Sequence, residues 1–259
     1  MTVRLKDTEK AAPLFGDWPE AIIWSCLQGV MGDVYGDHQD RPQSAMACLG
    51  DFRFYGGRPH RGLVEYKPDR ERGNYRIMVP QHDGWSELIE DCCGQGVKKS
   101  VRYAFRKEKD VFDRRKLREA VRSLSQEYTM RMMDRELFDR CRSSLWSRDL
   151  VSQYADYHMY EKLGIGVVIL KGGMPVSGAS SYARYNDGIE IEIDTRKDHR
   201  RRGLAYACGA RLILECLERG LYPSWDAHNS RSAALAQKLG YHIDHEYPVY
   251  EAGAEGTGD

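Results

Sequence analysis

Between Gly188 and Arg219 the hydrophobic period changes once, from two residues to about 3.6. Gly188–Thr195 alternates isoleucine with carboxylate, placing Ile189, Ile191 and Ile193 on one face of a strand and Glu190, Glu192 and Asp194 on the other. A basic turn, Arg196-Lys-Asp-His-Arg-Arg-Arg202, then opens an amphipathic helix through Arg200-x-x-Gly203-x-Ala205. Such a join points several backbone N–H groups and the positive end of a helix at one place, a geometry that binds phosphate or pyrophosphate. Glycine at 203 and alanine at 205 fit that role, because a larger side chain would keep a diphosphate off the backbone.

The surrounding second half continues this order. Leu137–Leu145 and Leu150–Leu163 read as helices, the latter stopped by Gly164. Gly166–Leu170 and Met174–Tyr182 read as strands joined by a Lys171-Gly-Gly173 hairpin. After Ile189–Thr195 come a helix Gly203–Arg219, a strand Leu221–Asp226, a helix Ser230–Leu239 and short segments at Tyr241–Ile243 and Tyr247–Tyr250. Along Gly203–Arg219, Tyr206, Ala210, Ile213 and Leu217 form the apolar stripe, opposite Arg211, Glu215 and Glu218.

The first half reads mostly as strands: the apolar run Ala21–Leu27, then Val30–Tyr35, and a hairpin of Ser44–Leu49 with Phe52–Tyr55 about Gly50-Asp51. A polar loop, Arg58–Asn74, leads to strand Tyr75–Val79 and helix Trp85–Cys93. Val97–Phe105 and Asp110–Phe112 follow as strands, and the charged Arg114–Arg122 reads as a linker helix. These boundaries predict a β-rich domain at 1–120, a second domain at 121–251 and a disordered Gly-rich tail at 252–259.

Composition narrows the class. The 259 residues carry 39 Lys+Arg and 39 Asp+Glu, so the net charge is zero and bulk attraction to nucleic acid or to an anionic membrane is not expected. No apolar run approaches a membrane span and the N-terminus lacks a signal-peptide core, which predicts a cytoplasmic protein. Seven cysteines without C-x-x-C spacing argue against a disulfide framework and a zinc site. The pair Cys92-Cys93 reads as helix packing. No residue cluster suggests a metal.

Taken together, the order and two motifs resemble the GNAT N-acetyltransferases, which move an acyl group from acyl-coenzyme A to an amine. Arg200-x-x-Gly203-x-Ala205 fits that family's pyrophosphate motif between a strand and a helix. Asn229-x-x-Ser232-x-x-Leu235 followed by Lys238-Leu-Gly-Tyr241 fits its second motif at the right spacing. Ile189–Thr195, Gly203-Leu-Ala205 and Tyr222–Asn229 also look like the subfamily containing the zwittermicin A resistance acetyltransferase. The resemblance implies an α+β GNAT fold, a mostly antiparallel sheet flanked by helices, and covers most of the chain, most specifically about residues 134–250. The first half is either a degenerate copy of that fold, lacking an Arg-x-x-Gly-x-Ala equivalent, or an unrelated β-rich extension. It could wall an acceptor pocket or form a homodimer surface.

By the same resemblance acetyl-CoA is the co-substrate. Its pyrophosphate is expected on the backbone of Arg200, Arg201, Arg202, Gly203, Leu204 and Ala205. Its pantetheine is expected along the strand edge at Ile193, Asp194 and Thr195, where a main-chain N–H would polarise the thioester carbonyl. Asn229 and Ser232 would contact the cofactor, although capping the helix that starts at Ser230 would by itself account for an asparagine. Same-face carboxylates on the strand sit roughly 6.5–7 Å apart and raise one another's pKa, which makes a base for an ammonium substrate. Glu192 is the first choice, Glu190 the second. Asp226 is a further candidate, against a purely structural role in a buried turn. His199 and His228 read as loop histidines.

Two positions depart from the family pattern. Ala236 stands where many members place an acid tyrosine, and Ser224 where some place a glutamate base. Tyr241, Tyr247 and Tyr250 are the alternatives for the acid, and nothing in the sequence selects one. A small-molecule amine, in the manner of an amino-polyol or aminoglycoside-like compound, is the acceptor the resemblance favours. A protein amine, a CoA-binding sensor without turnover and, least of all, a nucleic-acid binder are the other readings.

Overall fold

The architecture is that of a computed structural model describing residues 2–68 and 75–253. These residues divide into two compact units: one of 2–68, 75–102 and 246–253, the other of 103–245. The tail expected to be disordered lies, at 254–259, outside the described residues, as does the 69–74 part of the expected Arg58–Asn74 loop.

The first unit is built on a sheet of β1 (Val3–Arg4), β2 (Asp33–Gly36), β3 (Ser44–Leu49), β4 (Phe52–Gly57) and β5 (Arg76–Pro80), in that order. Neighbours are antiparallel except β4 and β5, which run parallel with Phe52 opposite Ile77. Short helices α1 (Ala12–Phe15), α2 (Ala21–Leu27) and α3 (Arg61–Val64) accompany it, with the longer α4 (Asp83–Cys93). Trp85 and Ile89 of α4 pack with Tyr55, Leu63, Val64 and Met78, and the Trp85 indole donates to the Gly57 carbonyl at 2.9 Å. Two expectations fail here. Ala21–Leu27 is a helix: Pro19 precedes it, the Glu20 carbonyl accepts from the Trp24 N–H, and five of its seven residues are buried. An apolar run of that length has no periodicity to tell helix from strand. Arg58–Asn74 is also not all loop, since α3 lies within it.

The chain enters the second unit along β6 (Val97–Phe105), followed by α5 (Arg114–Arg122), β7 (Thr129–Met132), α6 (Arg135–Ser143) and α7 (Tyr157–Leu163). The hairpin β8 (Gly166–Lys171) and β9 (Met174–Tyr185), strand β10 (Gly188–Thr195) and helix α8 (Leu204–Glu218) come next. The unit ends with β11 (Tyr222–Ser224), β12 (Asp226–Ala227) and α9 (Ser230–Leu239). Its main sheet has the order β11-β10-β9-β8-β7, antiparallel except for the parallel β10/β11 pair.

Helix α8 lies on the isoleucine face of β10. Gly209 makes this approach possible, because a methyl there would come within 2.8 Å of the Leu239 side chain and 3.2 Å of Ile193. The buried face of α8 is wider than the expected stripe: Ala207, Cys208, Leu212, Leu214 and Cys216 join Ala210 and Ile213, while Tyr206 and Leu217 stay half-buried. Helix α5 is no linker. Leu117 and Ala120 are buried in the same core, and Asp113 caps the helix by accepting from the N–H groups of Arg115 and Lys116.

Asp110–Phe112 is not a strand; Asp110 turns the chain at φ 60° and Phe112 packs edge-on against Tyr241. β7 was not foreseen. Leu150–Leu163 is not one helix: a single 3-10 turn, Arg148–Leu150, is followed by α7, which starts where Asp156 accepts from the Met159 N–H at 2.8 Å.

Leu221–Asp226 divides as well, and this division shapes the site. β11 stays beside β10, whereas β12 pairs with the end of β6, Asp226 opposite Ala104 and Ala227 opposite Tyr103. Trp225 between them is buried and donates its indole N–H to Ser232 Oγ at 3.3 Å. The segments at Tyr241–Ile243 and Tyr247–Tyr250 prove to belong mainly to one strand, β13 (Ile243–Ala252), whose end pairs with β5 in the first unit, Ala252 opposite Arg76.

Candidate active site

The last residues shared by β10 and β11 are Glu190 and Ser224. Beyond that pair, among the described strands, β10 runs on through Thr195 paired with β9 alone. Past Ile191, β10 therefore has no described strand beside it on the side β11 has left. The turn after it is tightly built. Lys197–His199 is a 3-10 turn, the Arg196 N–H donates to the Val176 carbonyl at 2.9 Å, and Arg200 Nε donates to the Thr195 carbonyl at 3.1 Å.

Two residues of the turn are left-handed: Arg201 at φ 63° and Gly203 at φ 77°. An arginine held there costs roughly 1–2 kcal/mol, and such strain persists only where neighbours fix the backbone. Gly203 is the N-cap of α8 with no side-chain cap, so the N–H groups of the first helical turn, including Leu204 and Ala205, have no intrahelical acceptor. A Cβ on Gly203 would meet no described atom within 4 Å. Packing therefore does not demand glycine; the left-handed backbone does, and a side chain would stand in the open space before the helix end. A backbone edge, a nest of N–H groups and the positive end of a fifteen-residue helix, joined by one turn, fit an extended thioester chain ending in a diphosphate.

The opposite face of β10 is the acid face. Glu190 is buried, close enough to Tyr185, Tyr222 and Tyr241 that its charge helps raise their hydroxyl pKa values, although burial is the larger cause. Glu192 is half-buried one step along, opposite Ser180, whose hydroxyl bonds Tyr160 of α7 at 2.8 Å. Asp194 lies on the open part of the edge, and burial pushes its carboxyl up to about 7, with Asp149 adding to the rise and Arg200 opposing it. Asp149 reaches this face because its turn is seated there. Gly178 lies opposite Asp194, and a methyl on Gly178 would come within 2.6 Å of Leu150. Burial also raises the Asp149 carboxyl.

Asp149 was missed from the sequence, where it sits in a segment without carboxylate spacing. Asp194 was read as one of three same-face carboxylates and as backbone for the donor, with Glu192 and Glu190 preferred to it as the base. Of the residues chosen beforehand, Ile193, Asp194, Thr195, Arg200, Arg201, Arg202, Gly203, Leu204 and Ala205 form one continuous edge and turn. Glu190 and Glu192 line the other face of the same strand.

Asn229, Ser232 and Asp226 belong to a neighbouring constellation. Asn229 caps α9, its Oδ1 accepting from the Ser232 N–H at 2.9 Å while its amide donates to His228 Nε2 at 2.7 Å. Ser232 Oγ is engaged by Trp225, and Asp226 is half-buried on β12. Ala236 is fully buried, and Ser224 Oγ bonds the Tyr185 hydroxyl at 3.0 Å. Of the tyrosines weighed as acids, Tyr241 is buried with its hydroxyl donating to the Pro223 carbonyl at 2.6 Å, and Tyr250 donates to Glu90 in the first unit. Both hydroxyls are committed to structure. Among the described residues no group of three His, Cys, Asp or Glu side chains is placed to hold a metal, and no helix is long and apolar enough to cross a membrane.

A parted parallel strand pair, a nest at the parted edge and a helix packed behind it define an acyl-CoA-dependent transferase fold. Residues 12–250 match the GNAT acetyltransferase family, and the chain belongs to it. It is 49% identical to a GCN5-related N-acetyltransferase-like protein from Streptococcus suis, whose crystal structure superposes with a TM-score of 0.90 over 96% of this chain and 99% of that one. It is 25% identical to an uncharacterized N-acetyltransferase of Bacillus subtilis, YdfB, over 90% of each chain. A tandem GNAT protein from the clavulanic acid biosynthesis pathway shares the fold, with a TM-score of 0.58 over 98% of this chain and 99% of that one, at 11% identity. The protein is thus a GNAT N-acetyltransferase, an acyltransferase of a family that uses acetyl-CoA.

Proposed function

We propose that this enzyme transfers acetyl from acetyl-CoA directly to the amine of a small cationic molecule. The observation that carries the reading is the adjacency of two features along β10, a backbone edge that β11 has left, running into an N–H nest, and the Asp194 carboxyl raised to about 7. Bound acetyl-CoA would supply an activated acyl group and a thiol leaving group. The backbone of Ile193–Thr195 would bind the donor's pantetheine arm, and the N–H groups of Arg201 to Ala205 its pyrophosphate.

On the acid face the ammonium form of an acceptor meets Glu192, Asp194 and Asp149. Two interacting carboxylates share protons more readily than either alone. Asp194, with its carboxyl at about 7, accepts the amine's proton near neutral pH and is the base this geometry favours beside Glu192. Glu190, deeper and beside three tyrosines, is better suited to holding this face in place. With Tyr241 and Tyr250 committed elsewhere, no tyrosine among those two is left to protonate the thiolate. A thiol of pKa near 8.5 leaves adequately as the anion. The likeness to the zwittermicin A resistance subfamily supports an amino-polyol acceptor and a role in drug detoxification.

Acetyl-CoA at a hundred times its Kd is expected to raise the melting temperature by roughly 5–10 °C, from about 2.7 kcal/mol of linkage. Gly203→Glu, folded but with a charged side chain in the open space before α8, is expected to lose that shift. A variant that keeps it removes the pyrophosphate assignment. Thiol release over a panel of amino-polyols, aminoglycosides and peptides then identifies the acceptor. Tight acetyl-CoA binding with no amine acetylated would favour the CoA-sensor reading that Ala236 and Ser224 suggest.

A further inference from the structure

Behind the left-handed turn lies a hydrogen-bonded chain that the acyl-transfer chemistry does not use. Arg202 Nη1 donates to the Tyr128 hydroxyl at 3.4 Å, and its Nη2 donates to the Asp198 carbonyl at 3.3 Å. Tyr128 Oη lies 3.2 Å from His199 Nδ1. Both rings are buried, and they meet edge to face with centroids 5.9 Å apart.

The proton directions follow from the donor inventory. A guanidinium can only donate, so the tyrosine oxygen accepts from Arg202 and its single proton is free for His199. In the tautomer with its hydrogen on Nε2, on the Asp198 side, Nδ1 accepts that proton. Nε2 lies 3.7 Å from the Asp198 carboxylate, near enough to orient the ring although too far for a hydrogen bond. Desolvation holds the imidazole below its ordinary pKa. Asp198 opposes that, and Arg196, Arg202 and Lys171 add to it. Lys171, from the β8–β9 hairpin, also stands over the Tyr128 ring at 5.5 Å and pairs with Glu127 at 2.8 Å.

We infer that Tyr128 and His199 are positioning residues for the donor, holding Arg202 and through it the left-handed turn at Arg201 and Gly203 in the shape that receives a diphosphate. Arg201 is the strained residue, flanked on one side by the Arg200 bond to Thr195 and on the other by the Arg202 bonds. The left-handed turn is kept only while both flanks are fixed. Removing the hydroxyl from Tyr128 loosens one flank, leaving Arg202 its bond to the Asp198 carbonyl, without touching the nest itself. The inference rests on the pyrophosphate reading of this turn.

The test is calorimetric binding of coenzyme A to the full-length protein. Tyr128→Phe is expected to weaken binding roughly three- to tenfold, the effect of one net hydrogen bond, and His199→Leu by a similar factor. His199→Asn sets an amide oxygen where Nδ1 stood, and is expected to retain wild-type affinity. A role in packing alone would not predict that rescue, because asparagine is as poor a substitute for a buried ring as leucine. Wild-type affinity in Tyr128→Phe and His199→Leu overturns the inference, as does equal weakening by His199→Asn and His199→Leu. Should Tyr128→Phe fail to fold, the two histidine variants decide. Gly203→Glu serves as the reference: loss of binding there with no effect at Tyr128 or His199 refutes the positioning chain alone. Unchanged binding in Gly203→Glu refutes the pyrophosphate reading beneath it.

Discussion

Asp194 shows how far a single residue's environment departs from what its spacing implies. Alternation put three carboxylates on one face and suggested that they raise one another, with Glu192 foremost. In the folded protein burial is the main cause for Asp194, and the carboxylate that adds to it is Asp149, brought by a turn that lies forty-five residues earlier in the chain. The sign of the consequence is fixed. A carboxyl raised from 3.8 to about 7 binds its proton more tightly in the folded state, so its contribution favours folding below about pH 4 and is lost as pH rises through 7. At about 1.4 kcal/mol per pH unit the loss has an upper bound near ~4 kcal/mol. Asp194→Asn is therefore expected to be more stable than wild type at pH 8 and to match it near pH 4, as read from urea midpoints at the two pH values. In turnover, kcat/KM for the acceptor is expected to rise through an apparent pKa near 7 in the wild type, an inflection that Asp194→Asn removes. Glu192→Gln with full turnover across the same range would exclude Glu192 as a base.

At the scale of elements, legibility followed length and punctuation. Val97–Phe105, Arg114–Arg122 and Ser230–Leu239 coincide with the observed elements, because each has a clear period or a cap such as Asp113 or Asn229. Short apolar runs were ambiguous. Ala21–Leu27 is helical for reasons of burial, and Thr129–Met132 is a strand because β8 offers it an edge. Helix α8 was correctly placed, but the width of its buried face depends on what surrounds it. Gly209 lets it descend onto Ile193 and Leu239, so Gly209→Val is expected to overpack this contact and cost about 1–3 kcal/mol. Chemical denaturation would measure the loss. Because the same helix carries the nest at its N-terminus, acetyl-CoA affinity should fall with it. Asp113→Ala, which removes only the cap of α5, is expected to cost about 1 kcal/mol and to leave donor affinity unchanged.

For the whole molecule, the chain's end supplies a strand to the unit with which the chain began. Tyr250, Glu251 and Ala252 pair with Met78, Ile77 and Arg76, and Tyr250 is buried in that unit's core. Truncation after residue 245 is expected to strip amide-exchange protection from Arg76–Pro80 while the β8–β10 strands of the second unit stay protected. Loss of protection at β8–β10 as well would show that the second unit depends on that strand.

The strand-to-helix switch at Asp194–Ala205 and the register of Asn229 with Gly240-Tyr241 were written in local order, because a period, a glycine and a cap act through near neighbours. They determined the family's fold and the place of the left-handed turn before α8. The parting of β10 from β11, the seat of Asp149 over Gly178, the commitment of Tyr241 to Pro223 and the chain from Arg202 through Tyr128 to His199 depend on segments far apart in sequence. Only packing brings those groups together, and burial, which sets their proton affinities, exists only once the chain has folded.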